Sequence, residues 1–204
     1  AEDSSAGSVA AGGENQYWLV DFKPVRLRTV SPAVGAGTGQ VYWYLVYKLK
    51  NPYKVDREVY VNVTATIDEK KKYADIFLPS VERAAEKREG REIWGRTDQF
   101  KRLARQDPSD PKYGYTTLKA GEERHCIAIF NRIDPNVTRV IIEAAGLSNQ
   151  IREKTDEAGG KVLIERIRQV SYHRSGDEFG VTRDSFEKKG AKWIEREVPV
   201  VPKE

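Results

Sequence analysis

The sequence contains little of what metal, haem and disulfide sites require. One cysteine among 204 residues excludes an intrachain disulfide and a four-cysteine metal site. Two histidines exclude most histidine-rich metal centres, and no His-x3-His, Cys-x2-Cys or haem-attachment motif is present. No run approaches the roughly 18 consecutive apolar residues of a membrane span. We therefore expect no metal, no cofactor and no membrane-spanning segment.

A strong excess of one charge is also missing. Thirty-five Lys and Arg residues against 31 Asp and Glu leave a formal net charge of +4. The two signs alternate closely, as in the segment 86–89 with the sequence Glu-Lys-Arg-Glu. Nucleic-acid-binding domains usually concentrate their basic residues in one stripe or patch. The sequence therefore predicts no nucleic-acid partner.

No residue pattern typical of a catalytic site stands out. His125 and Cys126 are adjacent, and neighbouring side chains on a strand point to opposite faces, so they cannot form a Cys–His couple. The glycines of segment 35–39 resemble a dinucleotide loop, but a strand follows them rather than the helix that such a loop needs. We expect no catalytic residues and no enzymatic activity. The enzymatic alternative is a carboxylate-based site in segment 91–114 or 174–190.

Methionine is absent throughout, even from position 1. The first five residues, Ala-Glu-Asp-Ser-Ser, are typical of a mature end left by a signal peptidase. We therefore expect export to the periplasm or an equivalent internal compartment, with the signal peptide removed; trimming during preparation is the alternative. We expect residues 1–16 to be a flexible leader, 17–198 a single domain and 199–204 a tail.

Alternating apolar residues predict the two clearest strands. In segment 41–50 the odd-numbered residues share one face, and in segment 58–67 Val59, Val61, Val63, Ala65 and Ile67 do the same; we expect these odd-numbered faces to form the interior. The short turn-rich link 51–57 favours a hairpin between them. Further strands are predicted at 17–30, where Lys23-Pro24 separates two runs, and at 73–78, 115–118, 124–130, 138–145, 161–172 and 191–198. Pro24 places the first of these at a sheet edge or a kink.

Residues 79–89 form the one predicted helix. Ser80 is expected to cap it, Glu82 lies in the first turn, Lys87 and Arg88 in the last, and Gly90 ends it. Seven to nine short strands with one short helix predict a mainly β fold, an antiparallel β-sandwich.

Aromatic residues are the most informative surface feature. Tyr42 and Tyr44 share one face of their strand, and the expected hairpin would bring Tyr60 to the same side. If that face is outward, Tyr42, Tyr44 and Tyr60 form an interface, because tyrosine is common in the centres of protein interfaces. The alternative is that these rings pack beneath the helix or beneath segment 91–114.

Several short motifs carry a resemblance to a known family. The segment 42–47, the Asn51-Pro52 pair, the helix 79–90 and the segment 118–122 resemble exported immunoglobulin-like proteins of planctomycete-type bacteria, over roughly residues 17–146. The resemblance implies an immunoglobulin-like sandwich and supplies no catalytic residues. Because the family includes a small accessory subunit of an anammox oxidoreductase, it also implies a role in the oligomerisation of a larger enzyme complex.

Two functional hypotheses from different classes follow. The first is a non-enzymatic assembly or accessory subunit that binds another protein, such as a larger enzyme complex, or itself as a homo-oligomer, through sheet edges or the tyrosine face. The second is a carbohydrate-binding module that stacks sugars on Tyr42, Tyr44 and Tyr60.

Overall fold

A computed structural model describes residues 17–31, 41–68, 71–96, 98–99, 107–109, 114–131, 137–155, 161–174 and 186–198. The expected leader, the tail and the Gly-rich segment 35–39 lie outside these residues. The described chain forms eleven strands and one helix. Their bounds are β1 Asp21–Val30, β2 Tyr42–Lys50, β3 Arg57–Val59, β4 Asn62–Ile67, β5 Lys71–Ala74, α1 Pro79–Glu89, β6 Thr116–Leu118, β7 Glu123–Phe130, β8 Arg139–Ala145, β9 Ile151–Thr155, β10 Lys161–Arg174 and β11 Phe186–Val198.

The strands form three antiparallel sheets. The first has the order β1-β2-β7, the second has the order β11-β10-β8-β4-β5 with β9 also on β10, and β3 pairs with β6. Side chains from the first two sheets meet in one core cluster. The prediction of a mainly β fold with antiparallel sheets and one helix is confirmed, whereas the immunoglobulin-like arrangement stays a prediction.

Strand β2 lies between two apolar layers, which explains why both of its faces are apolar. Trp43, Leu45, Tyr47 and Leu49 enter the main core, as the alternation predicted. On the opposite face, Tyr42, Tyr44 and Val46 join a second cluster that lies against α1. Fully burying one large apolar side chain contributes about 1.5–3 kcal/mol, so β2 anchors both layers.

The helix has the predicted bounds but a different N-cap residue. Leu78 occupies the N-cap position without a side-chain hydrogen bond, Pro79 follows it, and Ser80 is already helical, so the predicted Ser80 cap is wrong. Proline suits the first turn because no helical hydrogen bond needs its missing N–H. Gly90 ends the helix in a left-handed conformation (φ 64°) and donates its N–H to the Glu86 carbonyl, as expected from a terminal glycine.

The predicted hairpin between segments 41–50 and 58–67 is wrong. Strand β2 pairs with β1 and β7, whereas β4 pairs with β5 and β8 in the other sheet. The predicted strand 58–67 also breaks at residues 60–61 into β3 and β4. Segment 51–56 therefore carries the chain from one sheet towards the other.

The edge position and the irregularity that Pro24 indicated for strand β1 are both present. It lies at the edge of its sheet, and its pairing with β2 shifts register between Pro24 and Arg26. Four further elements differ from expectation: β9 was not predicted, β11 begins five residues earlier than the predicted strand at 191, β5 spans Lys71–Ala74 rather than 73–78, and β1 begins at Asp21 rather than at residue 17.

Candidate functional site

The three tyrosines proposed as an interface do not share a surface. Tyr42 and Tyr44 are buried beneath α1, as in the alternative interpretation of the sequence. The Tyr44 hydroxyl donates to Glu89 Oε1 at 2.9 Å, and Arg28 Nη1 donates to the same oxygen at 2.9 Å. Burial and this bond to Glu89 raise the pKa of Tyr44 well above its usual range. These two rings hold the helix on the sheet and are not available to a partner.

Tyr60 lies on a different part of the molecule. It follows β3, is 47% exposed and stands beside the 40% exposed Tyr115, with ring centroids 5.9 Å apart and ring planes at 45°. The expected common face required a β2–β4 hairpin, and no such pairing exists, since β2 and β4 belong to different sheets.

Arg57, which was not expected to matter, lies near two aromatic rings. Its guanidinium is 5.8 Å from the centre of Trp18 and 5.0 Å from that of Tyr53. The Tyr53 hydroxyl accepts the Leu19 N–H at 3.0 Å, and Asn149 Oδ1 accepts the Trp18 N–H at 2.9 Å. These bonds hold the start of the described chain against Tyr53 and Asn149. We therefore assign this cluster a structural role.

His125 and Cys126 do not act together. Cys126 is buried in the main core, and burial raises the pKa of its thiol to about 12, which keeps the sulfur protonated and unreactive near neutral pH. The His125 ring approaches Arg91 Nη1 at 3.0 Å, and partial burial with nearby Lys48 and Arg91 lowers its pKa. The expectation that this pair is not a catalytic couple agrees with the geometry.

A buried ion pair binds to the outer edge of β7 in the first sheet. Asp75 Oδ1 accepts the Ile129 N–H at 2.8 Å, and Arg96 Nε donates to Asp75 Oδ2 at 2.9 Å. Burial raises the pKa of Asp75 to about 6, although Arg96 acts in the opposite direction. Strand β7 also exchanges backbone bonds with Trp94, so its outer edge is occupied.

One small cavity lies beside this edge. It measures about 20 Å³ and is lined by Leu49, Val59, Val61, Trp94, Gln99, Thr116 and Arg124. That volume suits about one water molecule and not a substrate. Among the described residues, no group of three or more His, Cys, Asp and Glu side chains is placed to hold a metal ion.

The edges of the two large sheets differ in how they are protected. The β1 edge carries Pro24 and a register shift, the β7 edge is covered, and β5 has only four residues. Strand β11 has 13 residues and is terminal in its sheet, so no described strand pairs with its side away from β10, here called its outer edge. Unprotected edges of this length are templates for pairing with another chain.

The same strand belongs to a part of the second sheet that extends past the core. We call this part the ribbon: β9, residues 161–166 of β10 and residues 194–198 of β11. None of its residues is a member of either core cluster, whereas Val170 and Tyr172 further along β10 are. All five residues of β9 are exposed. The ribbon therefore offers sheet surface that the core does not use.

One face of the ribbon is apolar at its centre. Pairing across β9, β10 and β11 places Ile151, Leu163, Ile194 and Val198 on the same face, of which Ile151 is 57% exposed. Arg196 Nε donates to Glu165 Oε1 at 3.0 Å within that face. An apolar centre with charged neighbours is typical of a protein-binding surface.

Sequence reasoning missed this site for a physical reason. A strand without core contact needs no apolar alternation, so charged residues dominate β9. The available signals were the strands predicted at 161–172 and 191–198, but neither indicated that β11 would be terminal in its sheet.

Comparison with protein-family models, with curated proteins and with solved structures finds no match to this chain. The helix in the described part of the chain is too short and too polar to cross a lipid bilayer.

Proposed function

We propose that this protein is a non-enzymatic binding subunit that docks onto another protein chain through the ribbon and the outer edge of β11. The observation that carries the proposal is the extension of β9, β10 and β11 past both core clusters. An immunoglobulin-like arrangement and a larger oxidoreductase complex as partner rest on the sequence resemblance alone and remain part of the proposal, as does export.

Two physical arguments support docking at this place. A partner strand that adds to β11 would pair with backbone donors and acceptors already held in extended geometry, which gives affinity with little ordering cost. The apolar centre formed by Ile151, Leu163 and Ile194 would supply buried area beside that edge.

A photo-cross-linking experiment in the native host tests this proposal. A photoreactive residue replaces Ile151 on the ribbon in one variant and Val25 on β1 in a control, since both are exposed apolar positions. We expect a discrete cross-linked product from position 151 that carries one defined chain. Equal labelling from the two positions would contradict docking at the ribbon.

A carbohydrate-binding function remains the second candidate because Tyr60 and Tyr115 form an exposed aromatic pair. The burial of Tyr42 and Tyr44 rules out the sugar-stacking surface of three tyrosines that the sequence predicted. Affinity electrophoresis of the Tyr60→Ala variant in polysaccharide gels tests what is left: retention of the wild type that the variant loses would favour this function.

A further inference from the structure

We infer that the chain occupying the outer edge of β11 is β11 of a second copy, paired antiparallel about a twofold axis at Trp193. This inference rests on the proposed function and names its partner. It follows from the openness of the edge, from the charge sequence of β11 and from the position of Trp193.

The edge is the one long unprotected side in the described sheets. The edge of β1 carries Pro24, which lacks an N–H, and the edge of β7 is bonded to Trp94 and to Asp75. Strand β11 has neither device over its regular stretch from residue 190 to residue 198. Among the described residues, its protection consists only of charges, and charges favour some strand pairings over others rather than preventing all of them.

A twofold axis limits the possible registers. Since the axis relates identical antiparallel strands, one residue faces its own copy, and the others are opposed symmetrically around it. Like charges that lie directly opposite each other destabilise a strand pair. Each register can therefore be judged from the charges of β11, which are negative at Glu187, Glu195 and Glu197 and positive at Lys188, Lys189, Lys192 and Arg196.

Registers centred before Trp193 oppose like charges or overlap too little. An axis at Lys192 or at Lys189 brings that lysine against its own copy. An axis at Ala191 or at Gly190 leaves at most three paired residues within the regular stretch 190–198, because the bulge at Lys189 breaks the register before it.

Registers centred after Trp193 fail in the same way. An axis at Ile194 sets Lys192 against Arg196, and an axis at Glu195 opposes that glutamate to itself. Further displacement leaves only a few paired residues. The Trp193 register pairs residues 190–196 without a directly opposed like pair and places Glu197 against the bulge at Lys189 at both ends of the overlap.

The local structure fits this register. The bulge of β11 lies at Lys189, so the regular strand ends where the overlap with Glu197 ends. In the single copy Lys189 Nζ contacts Glu187 at 2.8 Å, but both side chains are about half exposed, and such surface pairs exchange at little cost.

Trp193 would form an aromatic pair with its own copy at the axis. Its ring already lies beside the guanidinium groups of Arg166 and Arg168, 5.5 and 5.2 Å from the ring centre. Directly opposed aromatic residues are favourable cross-strand pairs. The two arginines hold each ring on its sheet face and preorganise it for that contact.

Self-cross-linking by cysteine tests the axis. Only a residue on a twofold axis lies opposite itself, within reach of a disulfide to its own copy. The native Cys126 is buried and does not interfere. We expect Trp193→Cys to give an intermolecular disulfide under mild oxidation, and the matched Ala191→Cys and Glu195→Cys controls to give little. Equal cross-linking at the three positions overturns the inference.

Charge exchange provides the second measurement. Sedimentation of the purified full chain should show a monomer–dimer equilibrium whose Kd rises about tenfold for Lys189→Glu and for Glu197→Lys, because each creates two like pairs. The double variant restores opposite charges and should recover wild-type dimerisation, whereas Lys23→Glu on β1 should change nothing. A purified chain that stays monomeric overturns the inference, while a ribbon cross-link to a different protein still supports the proposed function.

Discussion

At the scale of single residues, Asn51 explains how the chain leaves β2. Its side chain is fully buried, and Nδ2 donates to the carbonyls of Val55, Leu118 and Lys119 at 2.8–3.0 Å. Its Oδ1 accepts the Tyr53 N–H at 3.1 Å. One side chain thus satisfies backbone groups from two loops, which turns a polar connector into a fixed crossing between sheets.

Replacing this side chain should be costly. In Asn51→Ala the buried carbonyls lose a donor, and we expect the free energy of unfolding to fall by about 3 kcal/mol. Urea denaturation measures the change. Asn62→Ala is the matched control, because Asn62 is exposed on β4. A loss below the control's would contradict the structural role.

Asp75 gives a pH-dependent prediction. Because its pKa is raised from 3.8 to about 6, the folded state binds a proton more tightly than the unfolded chain does. The free energy of unfolding contributed by Asp75 is therefore largest below about pH 4 and declines as the pH rises to about 6. Asp75→Asn should remove this decline, which is on the order of 2 kcal/mol. Denaturation of both proteins between pH 4 and 7 checks the sign; parallel profiles would contradict it.

At the scale of elements, α1 is fastened by its last turn. The Glu89 side chain is 5% exposed and pairs with Arg28 and Tyr44 on the sheet beneath the helix. Val81 and Ala85 add the apolar contact. A helix with few apolar residues can thus stay docked, because polar bonds at one end complement a small apolar patch.

Breaking this contact should loosen the helix. We expect Glu89→Ala to lower the free energy of unfolding by about 2 kcal/mol, since it removes one acceptor from Arg28 and leaves the buried Tyr44 hydroxyl without its acceptor. Lys87→Ala, an exposed change in the same turn, should cost far less. Thermal denaturation followed by circular dichroism compares them, and equal losses would argue against the anchor.

The elements also show what sequence can and cannot predict. Alternation in β2 correctly assigned Trp43 and Leu45 to the core, because side-chain direction is a local property. It could not assign the neighbours of β2, since pairing depends on contacts between residues far apart in sequence. The hairpin prediction was wrong for that reason. The common face predicted for Tyr42, Tyr44 and Tyr60 was wrong with it, because Tyr60 was placed on that face through the hairpin pairing.

At the scale of the whole molecule, the second sheet has two parts with different support. Residues 168–173 of β10 lie between β8 and β11 above the core, whereas residues 163–165 lie between β9 and β11 in the ribbon. The site in the ribbon was not foreseeable from composition, because the terminal position of β11 emerges only from the complete strand order.

This division should appear in hydrogen exchange. Amides of β10 at 168–173 should exchange more slowly than those at 161–165 in the monomer, because local opening of the ribbon exposes no core. Exchange measured at low protein concentration with residue resolution checks this, and uniform protection along β10 would contradict it. Protection of β11 that rises with concentration would be expected from self-pairing.

The continuity of β10 through both parts has a mechanical consequence. A tether pulling on the ribbon along the strand direction would load the cross-strand bonds of β10 to β8 and β11 together, in shear, instead of peeling them apart one at a time. The connection between the ribbon and the part of the second sheet above the core should therefore resist a force along the strand and separate far more readily under a force across it.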